Sequence, residues 1–217
     1  MKRFAMLVAA VVLSTTFLVG NQARAGENTV FLDTKDGRIT IELLPDLAPK
    51  HVAQIKTLVK EGFYDGLLFH RVMSNFMAQG GDPDSRNAPA DQPLGMGGPG
   101  YEIEAEIGAP HIRGALAAAR RNNPQKQSSG SQFYIVQGQP IDDAYLNNIE
   151  AQKQIKYNDA QRQLYKELGG TPFLDNDYTV FGEVVEGMDV VDKICSQPTG
   201  PNDRPLQDIK MTVRILN

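Results

Sequence analysis

The sequence predicts a mainly β protein whose strands form a closed antiparallel barrel. Three observations lead to this fold class: apolar residues alternate with polar ones over short runs, turn residues separate the runs, and only a few stretches have helical spacing. Many short strands with few helices are typical of a closed barrel. The 217 residues are enough for one medium domain with a buried core, and the sequence has neither an internal repeat nor a second domain.

The first 25 residues predict a secretory signal peptide. Two basic residues stand at positions 2 and 3, residues 5–19 form an apolar run, and residues 23–25 match a small-residue cleavage site. A transmembrane anchor is the weaker alternative, because a membrane span needs about 20 apolar residues. We therefore expect one domain at residues 26–217 that is exported to the periplasm or secreted.

The domain begins with a predicted β-hairpin followed by a helix. Two alternating runs, 29–34 and 38–43, flank an Asp-Gly pair at 36–37, which is a strong hairpin signal. Apolar residues at helical spacing predict a helix from Pro49, and Gly62 ends it. Because this helix has one apolar face, we expect it to cover an open end of the β structure.

The same patterns assign most of the remaining chain. The run 69–82 is a strand that turns at residues 74–75 and returns, and a loop rich in proline and glycine follows at 85–99. The apolar spacing of residues 188–195 predicts a short helix. Further strands are predicted at 101–107, 112–119, 131–136, 181–185 and 209–215.

Residues 142–168 have a helical pattern and predict two helices. Asp142 and Asp143 can cap the first helix, Asn158 can start the second, and Gly169-Gly170 ends it. We expect a helical hairpin that folds back on the domain. It is either a passive elaboration or a functional element, such as a docking surface or a lid for longer substrates.

The composition argues against several classes of protein. A net charge of −4 disfavours a nucleic-acid partner that is bound through its phosphates. The single cysteine, Cys195, excludes an intramolecular disulfide, and its apolar helical surroundings predict a buried inert thiol. Residues 95–100 match G-x-G-x-x-G, but no strand precedes them and no helix follows, so a dinucleotide site is disfavoured. A hydrolase has little support, because the chain lacks both G-x-S-x-G and H-E-x-x-H.

One arginine in the 69–82 run has large apolar residues as its neighbours, which is unusual for this side chain. Side chains two apart on a strand share a face, so Phe69, Arg71 and Met73 point the same way, and Met77 and Gln79 share a face after the turn. An arginine beside methionine and phenylalanine indicates that a polar group is held over an apolar surface. The alternative is that Arg71 pairs with a carboxylate at the rim of the sheet.

Three blocks of this chain resemble signature blocks of one family. FHRVMSNFMAQGGD at 69–82 and GSQFYI at 130–135 are similar to the FHR…QGGD and GSQFFI blocks of the cyclophilin peptidyl-prolyl cis-trans isomerases. Phe173-Leu174-Asp175, followed by YTVFGEV at 178–184, resembles the WLDGKHVVFG block of that family. The blocks occur in family order, and the similarity runs from about residue 28 to about residue 217.

The resemblance implies a specific fold, activity and site. The fold would be a closed eight-stranded antiparallel barrel capped by two helices, with residues 139–172 as a helical-hairpin insertion. The activity would be rotation about X-Pro bonds in exported polypeptides, carried out by a monomer without a cofactor or a metal. Arg71 would be the catalytic residue. The substrate-binding residues would be Phe76, Met77, Gln79, Ala119, Arg120, Gln132, Tyr134, Phe173, Leu174 and Tyr178.

This chemistry needs a donor rather than a nucleophile. Rotation about the peptide bond has a barrier of about 18–20 kcal/mol, and no bond is made or broken. When the bond twists, the proline nitrogen gains a lone pair, and a donor placed beside it stabilises the twisted state selectively. Arg71 is always charged and carries a planar fork of donors. One such contact supplies a few kcal/mol, or roughly two decades of rate.

The chain departs from the family pattern at four positions. Arg120 replaces a frequent asparagine, Tyr134 replaces the usual phenylalanine, Phe173 replaces the tryptophan of many eukaryotic members, and Tyr178 stands where a histidine often lies. Without the indole N–H donor we expect weak binding of cyclosporin. The alternative function is a non-catalytic periplasmic chaperone or scaffold that keeps the peptide groove.

Overall fold

The computed structural model describes residues 26–216, so the predicted signal peptide lies outside the described residues. The strands are β1 Thr29–Thr34, β2 Gly37–Leu43, β3 Phe69–Met73, β4 Met77–Gly80, β5 Glu102–Ile103, β6 Ala115–Ala118, β7 Ser128–Ser129, β8 Phe133–Val136, β9 Val180–Glu186 and β10 Thr212–Ile215. The α-helices are α1 Pro49–Lys60, α2 Asp143–Lys153, α3 Asp159–Leu168 and α4 Met188–Cys195. None of the helices in this range is long and apolar enough to cross a membrane.

Eight of the strands form one antiparallel sheet in the order β10-β1-β2-β9-β6-β8-β4-β3. The sheet curls but its ladder stays open, with β10 and β3 as its edges. Near the start of these two strands the chain segments approach each other through one bridge, between Leu68 and Lys210, and through backbone hydrogen bonds such as that from the Phe69 N–H to the Ile209 carbonyl at 2.9 Å. The predicted closed barrel is therefore wrong, and the sheet is an open half-barrel.

The cause of the open ladder lies at the outer edge of β3. Beyond the bridge this edge faces the short 3-10 turn Pro201–Asp203 instead of another strand. Asn202 and Asp203 both have φ of 59°, which is a left-handed conformation. Extended backbone is needed for a β-ladder, so pairing cannot continue along this edge.

The inner face of the sheet and two helices share one core. Val52, Ile55 and Leu58 of α1 pack into the same apolar cluster as Val191 and Ile194 of α4. The proline at the first position of α1 suits a helix start, because its missing N–H would have no partner there. Both helices thus cover the curled sheet, as the apolar face of α1 predicts.

Cys195 lies at the end of α4 and is 2 % exposed. Burial raises the pKa of its thiol to about 12. A thiol that remains protonated at neutral pH is a poor nucleophile. The prediction of a buried cysteine is confirmed, and the raised pKa supports the prediction that the thiol is inert.

The segment between β8 and β9 contains two helices with a small core of their own. Asp142 caps α2 by accepting a hydrogen bond from the Tyr145 N–H, and Asn158 and Gln161 form a capping box at the start of α3. The core of the hairpin is built from five buried side chains: Ile141, Leu146, Ile149, Tyr157 and Tyr165. These contacts hold α2 and α3 together as a unit beside the sheet.

Candidate active site

A cleft of about 500 Å³ opens at the outer edge of β3. One side is formed by strand residues, including Arg71 and Gln79. The other sides are formed by residues 90–95 of the glycine-rich loop and by residues 201–204. The cleft therefore brings together segments that are more than 100 positions apart in the sequence.

The Arg71 side chain is 37 % exposed and makes three contacts at the rim of this cleft. Its Nε donates to Oδ2 of Asp203 at 3.2 Å, and its Nη2 lies 3.0 Å from Sδ of Met73. Its Cζ is 5.9 Å from the centre of the Phe76 ring. Both alternatives drawn from the sequence thus occur together, because Arg71 pairs with a carboxylate and also lies beside an apolar surface.

The ion pair leaves most of the guanidinium available. Asp203 occupies Nε, and the Nη1 group has no hydrogen-bond partner within residues 26–216. Asp203 is 40 % exposed, and ion pairs at such positions contribute about 0–1 kcal/mol. Arg71 is therefore oriented by Asp203 and not locked against it. Nothing near Asp203 in the sequence indicates this contact, since the two residues are 132 positions apart.

Alternation along the strands separates the core from the site. Ala78 and Ile135 point into the inner core, whereas their neighbours Met77 and Tyr134 point to the outer face. Arg71 is paired with Gln79 across β3 and β4, which places the guanidinium beside the outer face of β4. The sequence predicts the outer face of Met73, Met77 and Gln79 correctly but is wrong for Phe69, which points into the inner core. The ladder shifts its register between Phe69 and Arg71, so the simple alternation breaks there.

Six of the predicted binding residues belong to one apolar cluster on the outer face, which we call the pocket cluster. These six residues are Phe76, Met77, Ala119, Tyr134, Leu174 and Tyr178. The ring of Phe173 lies 5.5 Å from that of Phe76 and is 38 % exposed, so it extends the pocket cluster towards solvent. The geometry places a partly exposed apolar surface next to a cation.

Two glutamines join the site to the glycine-rich loop. Nε2 of Gln79 donates to Oε1 of Gln132 at 3.0 Å, and Nε2 of Gln132 donates to the carbonyl of Gly97 at 2.7 Å. Gln132 is only 5 % exposed, so its amide serves mainly to hold the loop. Gln79 lines the cleft, and its own amide oxygen accepts no hydrogen bond from the part of the chain that the structure describes.

The segment at Ala119 and Arg120 is held by hydrogen bonds within the fold. The N–H of Ala119 donates to the carbonyl of Gln132 at 3.0 Å, and its carbonyl accepts from Ser129 at 2.8 Å. The Arg120 guanidinium lies over the Tyr178 ring, with Cζ 4.7 Å from the ring centre, and its Nε donates to the carbonyl of Asp177. The backbone of Ala119 is thus paired within the fold, and the binding of substrate by Ala119 and Arg120 stays a prediction.

The glycine-rich loop is organised by a buried carboxylate. Asp82 is fully buried and accepts hydrogen bonds from the N–H groups of Asp84, Gly95 and Gly97. The loop runs into strand β5 and not into a helix. This arrangement supports the exclusion of a dinucleotide site. Within residues 26–216, no group of three or more His, Cys, Asp or Glu side chains is placed to hold a metal ion.

Sequence reasoning missed two residues beneath the pocket cluster. The Tyr134 hydroxyl lies 3.0 Å from Nε2 of His111, and Nδ1 of His111 lies 2.8 Å from Oδ1 of Asp175. Burial raises the pKa of Tyr134 well above its ordinary value, so the hydroxyl remains a neutral donor. Asp175 lies inside the Phe173-Leu174-Asp175 block that the sequence singles out, whereas His111 carries no motif.

Comparisons with known proteins agree with this geometry. The family model "Cyclophilin type peptidyl-prolyl cis-trans isomerase/CLD" matches residues 29–214. A protein of Staphylococcus saprophyticus, named as a peptidyl-prolyl cis-trans isomerase, is 37 % identical over 196 residues, which cover 88 % of this chain and 92 % of the relative. A homologue of the same name in Staphylococcus aureus is 36 % identical over the same length.

Solved structures show the same fold. A cyclophilin-type isomerase of Cryptosporidium parvum superposes with a TM-score of 0.65 at 22 % identity, covering 88 % of this chain and 98 % of its own. A cyclophilin of Hirschia baltica has a TM-score of 0.61 at 21 % identity, covering 94 % of this chain and 81 % of its own. The family match, the relatives and the shared fold together show that the chain belongs to the cyclophilin family of peptidyl-prolyl cis-trans isomerases.

Proposed function

We propose that this isomerase acts on X-Pro bonds in exported polypeptides, and that it assists their folding by this reaction. The observation that carries the proposal is the juxtaposition of the Arg71 guanidinium with the pocket cluster on one face of the sheet. An uncatalysed X-Pro bond isomerises in tens to hundreds of seconds, which is slow enough to limit folding. An enzyme that accelerates this step helps any chain that contains a non-native proline isomer.

The site can favour the twisted amide because the pocket cluster and the cleft beside Arg71 act on different parts of the substrate. The pocket cluster holds the proline ring, and the residue before proline turns in the open cleft. Arg71 then donates from its Nη edge to the nitrogen as this atom becomes pyramidal. Such a contact exists only in the twisted state, so it raises the rate and not merely the affinity.

A short proline-containing peptide is the minimal substrate that fits this geometry. The C. parvum isomerase was also crystallised in the presence of the dipeptide Ala-Pro. That protein has the same fold as this chain, and the use of this dipeptide supports the choice of an Ala-Pro bond for assays. We propose proline-containing polypeptides as the partners of this chain.

Export is a separate part of the proposal. It is supported only by the sequence of residues 1–25, with its basic start, apolar run and cleavage site. Fractionation of cells that express the chain with and without these residues tests it. We expect a shortened form that begins near Gly26 outside the cytoplasm, and a cytoplasmic product from the truncated gene. Uncleaved protein that stays in the cytoplasm when residues 1–25 are present would refute export.

The second candidate function is a non-catalytic peptide-binding chaperone, which the Arg71–Asp203 ion pair favours. The discriminating experiment compares wild type with Arg71→Ala for both isomerisation rate and binding of an Ala-Pro-Phe peptide. We expect the rate to fall by about 100-fold while the affinity changes less, because one charge-assisted contact is lost mainly from the twisted state.

A surface arginine on the opposite part of the fold provides the matched control. Arg38 pairs with Asp33 across the first hairpin and has no contact with the cleft. Arg38→Ala should leave both the rate and the affinity unchanged. Equal losses of rate and affinity in Arg71→Ala, or an inactive wild type that still binds peptide, would favour the chaperone.

A further inference from the structure

The helical hairpin of α2 and α3 reaches the pocket cluster through a buried polar network. Oδ2 of Asp175 accepts hydrogen bonds from the hydroxyls of Tyr157 at 2.8 Å and Tyr165 at 2.6 Å. Both tyrosines come from the hairpin, and Tyr165 is completely buried. The other carboxylate oxygen of Asp175 accepts from the backbone N–H and the ring of His111, each at 2.8 Å.

The network leaves no part of the Asp175 carboxylate without a donor. Four donors meet two oxygens, which fills the capacity of an ionised carboxylate. Asp175 is 4 % exposed, and a charge at such a depth is tolerated only when hydrogen bonds replace its water. The two hairpin hydroxyls supply half of that replacement.

The same network fixes the floor of the pocket. A carboxylate can only accept, so Nδ1 of His111 carries its proton towards Asp175. With Nδ1 as the donor to Asp175, Nε2 is placed to accept from the Tyr134 hydroxyl, at 3.0 Å. The hydroxyl of Tyr134 is thereby directed away from the proline site, and the ring stacks on His111 with the ring centres 6.1 Å apart.

The hairpin also holds the wall of the pocket. Asp175 directly follows the turn Pro172–Leu174, and the Tyr157 hydroxyl lies 3.3 Å from the carbonyl of Pro172. Lys153 of α2 bonds the Asp175 carbonyl at 2.5 Å and the Asp177 carboxylate at 2.6 Å. The segment that carries Phe173, Leu174 and Tyr178 is therefore held by side chains from the hairpin.

We propose that the hairpin is a built-in support of the proline pocket, and that Tyr157, Tyr165, Asp175 and His111 are positioning residues for Tyr134 and Leu174. This role differs from both a passive elaboration and a lid, because it acts on the pocket from beneath. The proposal deepens the isomerase function and rests on it where catalysis is concerned. Its structural part holds whether or not the chain is an active isomerase.

The test is the double variant Tyr157→Phe/Tyr165→Phe, which removes two hydroxyls and keeps both rings. The matched control is Tyr145→Phe, the same change on a hairpin tyrosine whose hydroxyl does not contact Asp175. We measure isomerisation of an Ala-Pro-Phe peptide over a range of concentrations. We also record methyl NMR signals of Leu174 and Met77 in the pocket cluster, with Leu58 of the inner core as an internal reference.

We expect kcat/KM of the double variant to fall about three- to tenfold, with most of the change in KM, because a looser pocket binds ground and twisted states equally less well. The Leu174 and Met77 signals should shift or broaden while Leu58 stays in place, and Tyr145→Phe should match wild type. If the double variant does not fold, Tyr157→Phe alone is measured in the same way.

Three results would overturn the proposal. A folded variant with unchanged pocket signals and KM within twofold of wild type would show that the hairpin does not support the pocket. Equal shifts of Leu58 and Leu174 would show a general loss of order. An effect of the same size in Tyr145→Phe would remove the role of Asp175. If wild type itself proved inactive, the isomerase assignment would fail, but the methyl signals would still report on the support.

Discussion

The carboxylate of Asp203 is the only charged partner of the Arg71 guanidinium within residues 26–216, and removing it separates orientation from charge. In Asp203→Ala the Nε donor loses its acceptor at 3.2 Å, and Arg71 gains freedom to leave the cleft. In Asp203→Asn the side-chain amide oxygen can still accept from Nε, but the negative charge is gone. The pair is 37 % and 40 % exposed, so its contribution to the positioning of Arg71 is at most about 1 kcal/mol.

The assay is kcat/KM for an Ala-Pro-Phe peptide, measured for both variants at low and moderate salt. An energy of about 1 kcal/mol corresponds to roughly a fivefold change in rate, so Asp203→Ala should lose about two- to fivefold. Asp203→Asn should stay within about twofold of wild type, because the hydrogen bond orients Arg71 more than the charge does. A gain of more than tenfold in Asp203→Ala would refute this reasoning and show that the ion pair inhibits Arg71.

Three further predictions concern pH, a helix cap and an inhibitor. Burial lowers the pKa of His70 to about 4, so between pH 6.5 and 4 the unfolded chain binds a proton that the folded chain does not. The contribution of His70 to the free energy of unfolding is therefore complete above pH 6.5, and roughly 3 kcal/mol is lost as the pH drops through 4. Chemical denaturation across this pH range measures the loss, and His70→Gln should flatten the dependence of stability on pH. Asn158→Ala removes the cap of α3, so we expect a loss of about 1 kcal/mol and a decrease in Tm of about 2–4 °C by calorimetry, whereas exposed Lys166→Ala should change little. Phe173→Trp should strengthen cyclosporin binding by roughly fivefold in a titration, because the indole N–H adds one donor, and nanomolar affinity of wild type would contradict this.

Much of the fold is encoded locally and could be predicted. The first hairpin follows from the alternation of apolar residues around Asp36-Gly37. Strands β1 and β2 pair up to Thr34 and Gly37, so that only the two residues between them form the loop. The apolar spacing after Pro49 and the caps at Asp142 and Asn158 mark three of the four α-helices in the described chain. In each case the signal and the structure lie within about a dozen residues of each other.

The openness of the sheet could not be predicted, because it depends on contacts distant in sequence. Whether β3 meets β10 is decided by the left-handed residues Asn202 and Asp203, and asparagine and aspartate adopt this conformation without a strong sequence signal. The strand expected at 101–107 is only two residues long, since Glu102–Ile103 pairs with the equally short β7. Local sequence patterns therefore failed to predict which strands pair over long distances in the chain.

The site shows the same division between local and distant information. Alternation places Arg71 and Gln79 correctly beside the outer face of β4, because it needs only the strand period. Asp203 and the pair of His111 with Asp175 are missed, since 132 and 64 positions separate the partners. Polar contacts of this kind depend on tertiary placement, which no short pattern contains.

The central claim is that the planar donor fork of Arg71 accelerates rotation about the X-Pro bond. Exchange NMR of a peptide with one Ala-Pro bond, at saturating concentration, compares the on-enzyme exchange rates of wild type and Arg71→Lys. Lysine keeps the charge but is a single point donor, so we predict similar peptide binding and an exchange rate at least tenfold lower. An equal rate in the lysine variant, or no catalysed exchange in wild type, would contradict the account.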